Sequence, residues 1–180
     1  MQHDNKTPEI KQAFLASAIS DISSYIHLAD TKVSIVMAAV VAIIVGLASC
    51  YEPIATIVST IIPCSWIGVS LLILAFLFCV SVFLVFLFGL LTVRGHSSKI
   101  GYPSKWFWIQ STKEYSFDKY AEDVRKMTDD DVINNMAAEL YKLNDINRQK
   151  ATTLKWTLFT FGGFLALLLC IGILFLVHMI

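Results

Sequence analysis

Three long segments of the chain contain no Asp, Glu, Lys or Arg. They cover residues 33–51, 53–93 and 156–180, and only Glu52 separates the first two. A soluble core does not need apolar runs of this length, whereas about 20 apolar residues at about 1.5 Å each cross a hydrocarbon layer of about 30 Å. The sequence therefore predicts an integral membrane protein with three spans.

Composition agrees with this interpretation. The hydrophobic fraction of 56% and the mean hydropathy of +0.66 are typical of membrane proteins. The formal net charge is zero, so no global field favours nucleic acid as a partner. We expect the lipid bilayer to be the main partner of the chain.

The distribution of basic residues predicts the topology. Of the 14 Lys and Arg, three lie in residues 1–32 and eleven in residues 94–155, and none lies in the connection between the first two spans. The positive-inside rule then places both polar regions in the cytoplasm. The predicted order is a cytoplasmic N-terminal helix 1–32, a span 33–51, an external connection 52–65, a span 66–93, a cytoplasmic helical region 94–155 and a span 156–180.

Helix signals extend the first and last spans into the polar regions. A first helix is predicted from Thr7 and Pro8 into the first span, with an apolar stripe at Ile10, Phe14, Ala18, Ile22 and Tyr25. A last helix of roughly 50 residues begins after Thr128, with Asp131 at the capping-box position. Its stripe consists of Val132, Met136, Leu140, Leu143, Asn147, Lys150 and Leu154.

Between spans two and three the pattern is less regular. Ser116 is predicted to cap a short helix from Phe117 to about Met127, and the aromatic segment 105–110 favours a short strand or an interfacial strip. The predicted fold is therefore an all-α membrane protein with three transmembrane helices. Its first and last helices extend into a cytoplasmic helical stalk, and a small cytoplasmic segment lies between spans two and three.

Small residues recur every four positions along the first span. This ladder consists of Ser34, Ala38, Ala42, Gly46 and Cys50. Helices in lipid associate largely through close backbone approach at small residues, so the ladder predicts a packing face against another span or another subunit. Cys50 and Cys64 flank the external connection and either pair in an oxidising compartment or remain free thiols.

No catalytic constellation is recognisable in the chain. It has no HExxH, GxSxG, P-loop or CxxC motif, and its four histidines are scattered. The predicted spans carry no ionisable Asp, Glu, Lys or Arg, so the usual signs of a proton relay are missing. We expect no enzyme activity, no metal and no cofactor.

Polar residues gather at the inner boundary of the three spans, where a group of similar depth is expected. They are Asp30, Lys32, Arg94, Asp145, Asn147, Arg148 and Lys150. One interpretation is that they are interfacial anchors with weak surface ion pairs. The other is a polar cluster, with Asp30 paired to Arg148 or Lys150, in which Lys32, Arg94, Arg148 and Lys150 bind an anionic ligand. Trp106 and Tyr120 are either interfacial aromatics or a platform that stacks a nucleobase.

Several short patterns, in order, resemble those of the Pycsar TM effectors, small bacterial antiphage membrane proteins. The patterns are Asp30-x-Lys32-x-Ser34, Trp106-Phe107-Trp108-Ile109, Ser116-x-x-x-Tyr120 and Leu140-x-x-Leu143-x-x-Ile146-x-x-x-Lys150-x-x-x-Leu154. The resemblance covers residues from about 12 to 180. One departure is Val33, where the family often has a small residue after the Lys.

The resemblance implies a function. Such effectors are paired with a cyclase that makes cyclic CMP or cyclic UMP on infection, and they compromise the bacterial inner membrane in response. We therefore expect a homo-oligomeric inner-membrane protein with a cytoplasmic N-terminus that senses a cyclic nucleotide. The alternative is a membrane-anchored helical scaffold that recruits a partner protein.

Overall fold

The computed structural model describes residues 6–61, 66–94 and 116–179, and these residues form helices and no strand. The helices are α1 (Lys6–Ser49), α2 (Tyr51–Ile61), α3 (Trp66–Arg94), α4 (Phe117–Arg125) and α5 (Asp129–Met179). Three of them, α1, α3 and α5, are long and apolar enough to cross a membrane. The predicted all-α fold with three membrane-spanning helices is confirmed. The predicted strand at 105–110 lies outside the described residues.

The two terminal helices are much longer than a span requires. Helix α1 has 44 residues and α5 has 51, whereas about 20 residues suffice for a bilayer. Each therefore extends beyond its uncharged segment, as the helix signals predicted. Helix α3 begins at Trp66 and ends at Arg94, one residue beyond the predicted span.

The start of α5 is fixed by the predicted capping box. The backbone N–H and the hydroxyl of Thr128 donate to Asp131 Oδ2 at 3.0 and 2.7 Å, and the Asp131 N–H donates to Thr128 Oγ1 at 3.3 Å. These bonds satisfy donors that the first helical turn leaves without intrahelical partners. An aspartate thus performs here the role that a glutamate or glutamine usually performs.

The short helix α4 differs from its prediction in two details. Ser116 occupies the N-cap position with extended backbone, but its side chain makes no capping hydrogen bond. The helix ends at Arg125 rather than near Met127, and Lys126 at its C-cap forms an exposed ion pair with Glu122. The prediction of side-chain capping by Ser116 was therefore wrong, since only its backbone carbonyl accepts a bond, from Tyr120 N–H at 3.0 Å.

The described chain divides into two compact units. The first unit contains residues 6–28 and 116–150, and the second contains residues 29–61, 66–94 and 151–179. The second unit holds most of the uncharged sequence, and the first holds most of the charge. The limits predicted for the individual spans and loops stay predictions.

The core of the second unit joins the three long helices. Val36 and Val40 of α1, Val85 of α3 and Phe164 of α5 are buried together. The rings of Phe78 and Phe164 lie 5.0 Å apart between centroids and add an aromatic contact between α3 and α5. This core places the uncharged segments side by side in one helical bundle.

A glycine permits the closest approach between α1 and α3. A Cβ built on Gly89 would lie 3.0 Å from Met37 Sδ and 3.4 Å from Val33 Cγ1. Both distances are shorter than or at the edge of ordinary van der Waals contact, so the α1 side chains occupy the space that a larger residue would need.

The buried face of α1 differs from the predicted stripe. Ile10, Phe14 and Tyr25 are exposed, at 68%, 69% and 62%. Two members of the stripe, Ala18 and Ile22, are half-buried as predicted. The other half-buried apolar residues in this part of α1 are Leu15, Ile19 and Ile26. The predicted stripe was wrong at Ile10 and Phe14 because steps of four residues rotate by about 40° each around a helix of 3.6 residues per turn. Tyr25 follows Ile22 by three residues, a step that rotates by about 60° in the opposite sense.

The stripe predicted for α5 is confirmed. Met136 and Lys150 are buried, and the remaining members of the stripe are half-buried: Val132, Leu140, Leu143, Asn147 and Leu154. Its steps alternate between three and four residues over most of its length, and this alternation keeps a stripe on one side of a helix.

Candidate functional site

The first unit contains an unusual concentration of buried polar side chains on α5. Asn135, Glu139, Lys142 and Lys150 are exposed by only 3%, 9%, 4% and 6%. Their spacing places them within about a quarter turn of one another around the helix. We call these four residues the polar face of α5. Lysine and glutamate are almost never fully buried unless they have partners. Asn135, Lys142 and Lys150 all have polar or electrostatic interactions, which leaves Glu139 as the member to explain.

One member of the polar face is bonded within its own helix. The Asn135 side-chain amide donates from Nδ2 to the Asp131 carbonyl oxygen at 2.7 Å. This bond fixes the orientation of the amide. Asn135 therefore lies at the N-terminal end of the polar face as an oriented amide.

Glu139 is the member of the polar face with an unsatisfied hydrogen-bond acceptor. Its Oε2 atom is buried and has no hydrogen-bond partner in the part of the chain that the structure describes. Leaving a buried acceptor unsatisfied costs about 1–3 kcal/mol, and more for a charged group. Native proteins keep few such atoms, and those that remain often belong to functional sites.

Burial also changes the acidity of this group, which lies before the predicted third span. Desolvation raises the pKa of the Glu139 carboxyl, and the positive charge of Lys142, three residues further along α5, acts in the opposite direction. The face thus combines a carboxyl that gains from receiving a proton or a hydrogen bond with two buried ammonium groups. Such a set can bind a ligand that offers both N–H donors and negative charge.

The sequence-predicted site residues of the first unit have different surroundings. Lys150 belongs to the polar face, whereas the Arg148 side chain is 80% exposed and its Nη2 lies 2.8 Å from Asp145 Oδ1. Asp145 Oδ2 also accepts from Gln149 Nε2 at 3.0 Å. The structure therefore brings Arg148 and Asp145 together as an i,i+3 pair. Asn147 and Tyr120 are half-buried, and Trp106 lies outside the described residues.

The remaining predicted residues belong to the second unit. Lys32 and Arg94 are exposed, and Asp30 is half-buried with its carbonyl oxygen accepting from Ser34 Oγ at 2.9 Å. The predicted pairing of Asp30 with Arg148 or Lys150 would join the two units and stays a prediction. Ligand binding by Lys32 and Arg94 stays a prediction as well.

All members of the small-residue ladder are exposed on the isolated chain: Ser34, Ala38, Ala42, Gly46 and Cys50. A Cβ on Gly46 would have no heavy atom within 4 Å, in contrast to Gly89. The close helix contact inside the chain thus uses Gly89, which the sequence did not suggest, and packing of the ladder against another subunit stays a prediction. Cys64 lies outside the described residues, so its pairing with Cys50 stays open.

The buried hydroxyls of the second unit are bonded within their own helices. Thr92 Oγ1 donates to the Phe88 carbonyl at 2.8 Å, and Thr157 Oγ1 donates to the Thr153 carbonyl at 3.0 Å. Ser81 Oγ donates to the Phe78 carbonyl at 2.7 Å. These bonds remove the cost of burying polar groups in an apolar bundle.

Sequence reasoning missed Asn135, Glu139 and Lys142. Charged residues are generally expected to face solvent. The one sequence feature that indicates burial of these residues is their position beside the apolar stripe. Glu139 and Lys142 directly precede Leu140 and Leu143 of that stripe, so they lie beside it on the helix. Among the described residues, no group of three or more His, Cys, Asp or Glu side chains is arranged to hold a metal ion.

Comparisons with known proteins give a family. The model of the Pycsar effector protein domain matches residues 14–178, nearly the whole chain. No curated protein matches the chain. No solved structure matches it. The chain therefore belongs to the Pycsar effector family, and this membership supports a role as an effector in antiphage defence.

Proposed function

We propose that the protein is a cyclic-nucleotide-gated effector of the bacterial inner membrane. A cyclic nucleotide binds the first unit at the polar face of α5, and the protein responds by impairing the membrane, which stops phage spread. The observation that carries this proposal is the buried polar face, with its unsatisfied Glu139 oxygen, in a member of an effector family. We place the N-terminus and residues 94–155 in the cytoplasm, where the nucleotide would be made.

The chemistry of a cyclic nucleotide complements this face. Its cyclic phosphodiester carries one negative charge, which the ammonium groups of Lys142 and Lys150 attract. Its base offers N–H donors, the exocyclic amine of cytosine or the imide of uracil, and Glu139 is an acceptor in need of a donor. Tyr120 and Trp106 remain candidates for stacking on the base.

The response in the membrane is proposed to involve several copies of the chain. Thr92 and Thr157 are fully buried and bonded to their own helices, so their hydroxyls are not offered to a passing ion. The exposed small-residue ladder of α1 remains available for contacts between copies. Nucleotide binding would favour a leaking assembly by binding it more tightly than the resting one, since a ligand shifts an equilibrium only through differential affinity.

Binding to the purified full-length protein in lipid nanodiscs tests the first step. Cyclic CMP, cyclic UMP and cyclic AMP are titrated by calorimetry, and we expect one of the two pyrimidine nucleotides to bind. Glu139→Gln and Lys142→Gln are expected to weaken that binding at least about tenfold, the loss of a charge-assisted bond. Absence of binding by all three nucleotides would contradict the proposal.

Matched controls separate the polar face from general charge effects. Glu122→Gln and Lys126→Gln make the same changes in the same unit at side chains that are 63% and 71% exposed. Exposed ion pairs of this kind contribute little, so both controls should bind like the wild type. If the controls weakened nucleotide binding as much as the polar-face variants do, binding would depend on net charge alone.

A scaffold function is a second candidate, and one observation favours it. Ile10, Phe14 and Tyr25 are large apolar side chains exposed on the charged first unit. Exposed apolar groups on a polar region are typical of interaction sites. A scaffold predicts that a second protein co-purifies and that Phe14→Asp releases it, whereas the effector proposal predicts nucleotide-dependent leakage without any partner.

A further inference from the structure

A cavity of about 390 Å³ lies within the second unit, at the end of the bundle that carries α2. All four helices of this unit contribute to its wall. Its lining includes Leu47, Ile54, Val58, Phe78, Leu168 and Phe175. A volume of this size falls in the range of small-molecule sites, which is about 300–1,000 Å³.

Water is a poor occupant for this cavity. A buried water needs two to four polar partners, and the lining is almost entirely hydrocarbon. Two hydroxyls of α2 are used elsewhere, because Thr56 Oγ1 donates to the Glu52 carbonyl at 3.0 Å and Ser59 Oγ donates to the Thr56 carbonyl at 2.7 Å. Leaving the space empty would deprive the lining side chains of dispersion contacts.

Helix α2 forms one wall of this space. Its apolar residues Ile54 and Val58 line the cavity and are only half-buried by the protein. An apolar occupant would complete their burial, which contributes about 25 cal/mol per Å² of apolar surface removed from water. The occupant therefore acts as a packing partner for α2.

Membrane lipid is the source of hydrocarbon next to this cavity. The residues around the lining are strongly exposed apolar side chains of the membrane-spanning helices: Leu72 at 58%, Leu169 at 66% and Leu176 at 63%. In a bilayer these side chains face acyl chains, and the neighbouring cavity is partly open rather than enclosed. The connection 52–65 contains no Lys or Arg that would attract a phosphate headgroup.

We propose that the cavity binds one acyl chain of a membrane lipid and that this chain holds α2 against the bundle. Recognition is by the hydrocarbon rather than by the headgroup. The site is separate from the polar face of α5 and does not rest on the proposed nucleotide function.

Native mass spectrometry of the full-length protein in detergent tests this inference. We expect one retained lipid per chain, with phosphatidylcholine and phosphatidylglycerol binding within about threefold of each other. Ala75→Phe, which fills the cavity from α3, should weaken binding at least tenfold. Ala166→Phe, the same change at an exposed position of α5 outside the lining, should leave it unchanged.

A second measurement locates the bound chain in the wild-type protein. A phosphatidylcholine with a diazirine in its acyl chain is retained through detergent washing and then photolysed. Labelling of Ile54, Val58 or Cys79, all of which line the cavity, would support the site. Labelling confined to Leu72 and other outward residues, equal binding by Ala75→Phe and wild type, or binding of phosphatidylglycerol alone would overturn it.

Discussion

Single residues decide whether the polar face of α5 is a structural or a functional feature. Glu139 is buried, and its Oε2 has no hydrogen-bond partner within residues 6–61, 66–94 and 116–179, an arrangement that costs stability in the unliganded protein. A residue that only supported the fold would destabilise the protein when it is replaced. A residue whose role is to bind a ligand behaves in the opposite way. Its replacement raises the stability of the unliganded protein and lowers the affinity for the ligand.

Replacing Glu139 by Gln should therefore raise the thermal stability of the unliganded protein at neutral pH, by about 1 kcal/mol. Burial raises the pKa of the Glu139 carboxyl above its value in the unfolded chain. The contribution of this carboxyl to stability is therefore fully present below the unfolded-state pKa, and it is lost as the pH rises through the folded-state pKa. The stabilising effect of Glu139→Gln should thus be larger at pH 8 than at pH 5. Melting temperatures in detergent measure this, and equal loss of stability at both pH values would assign Glu139 a structural role.

Gly89 offers a residue-level test of the contact between α1 and α3. Gly89→Val places atoms where Met37 and Val33 lie, and overpacking of this kind costs about 1–3 kcal/mol. Gly172→Val is the control, because a Cβ there meets no heavy atom of the described residues within 4 Å. We expect a lower melting temperature for the first variant only. Equal melting temperatures for the two variants would mean that the close approach at Gly89 is absent in the protein.

At the scale of elements, the sequence predicted the helices well and their buried faces unevenly. The bounds of α3 follow from an uncharged run that ends at Arg94, and the start of α5 follows from a capping box. The face of α1 was assigned wrongly because Ile10 and Phe14 are apolar but four residues apart, and such steps drift around the helix. Glu139 and Lys142 escaped notice because hydrophobic patterning assigns charged residues to solvent.

The capping box gives a prediction with an internal control. Thr128→Ala removes the hydroxyl that bonds both the Asp131 carboxylate and the Asp131 N–H, and such losses cost about 1 kcal/mol. Ser116→Ala removes an N-cap side chain that makes no capping bond, so it should change stability little. Amide hydrogen exchange in residues 129–133 should rise for the first variant alone. Faster exchange after both substitutions would contradict the assignment.

At the scale of the whole molecule, the distribution of charge predicts which parts share a compartment. Eleven of the basic residues lie in residues 94–155 and none in residues 52–65. The positive-inside rule then predicts that the first unit lies in the cytoplasm and α2 outside. The nucleotide proposal needs this orientation, because the polar face must meet a ligand made inside the cell.

Single cysteines in a cysteine-free background test the orientation. Ser59→Cys on α2 and Ser17→Cys on α1 make the same change at exposed positions. A membrane-impermeant maleimide added to spheroplasts should label the first variant, and it should label the second only after lysis. Labelling of Ser17→Cys in unbroken spheroplasts would place the first unit outside the cell.

Ion flux from liposomes tests the proposed gating most directly. Full-length protein of verified orientation is reconstituted with a fluorescent reporter of small ions, and cyclic CMP or cyclic UMP is supplied on the side of the first unit. We predict ion flux within the assay time when the nucleotide that binds is added. Glu139→Gln should need at least about tenfold more nucleotide for the same flux, and Glu122→Gln should need the same concentration as the wild type. A protein that binds the nucleotide at the polar face while the liposomes stay tight would contradict gating of the membrane by this chain.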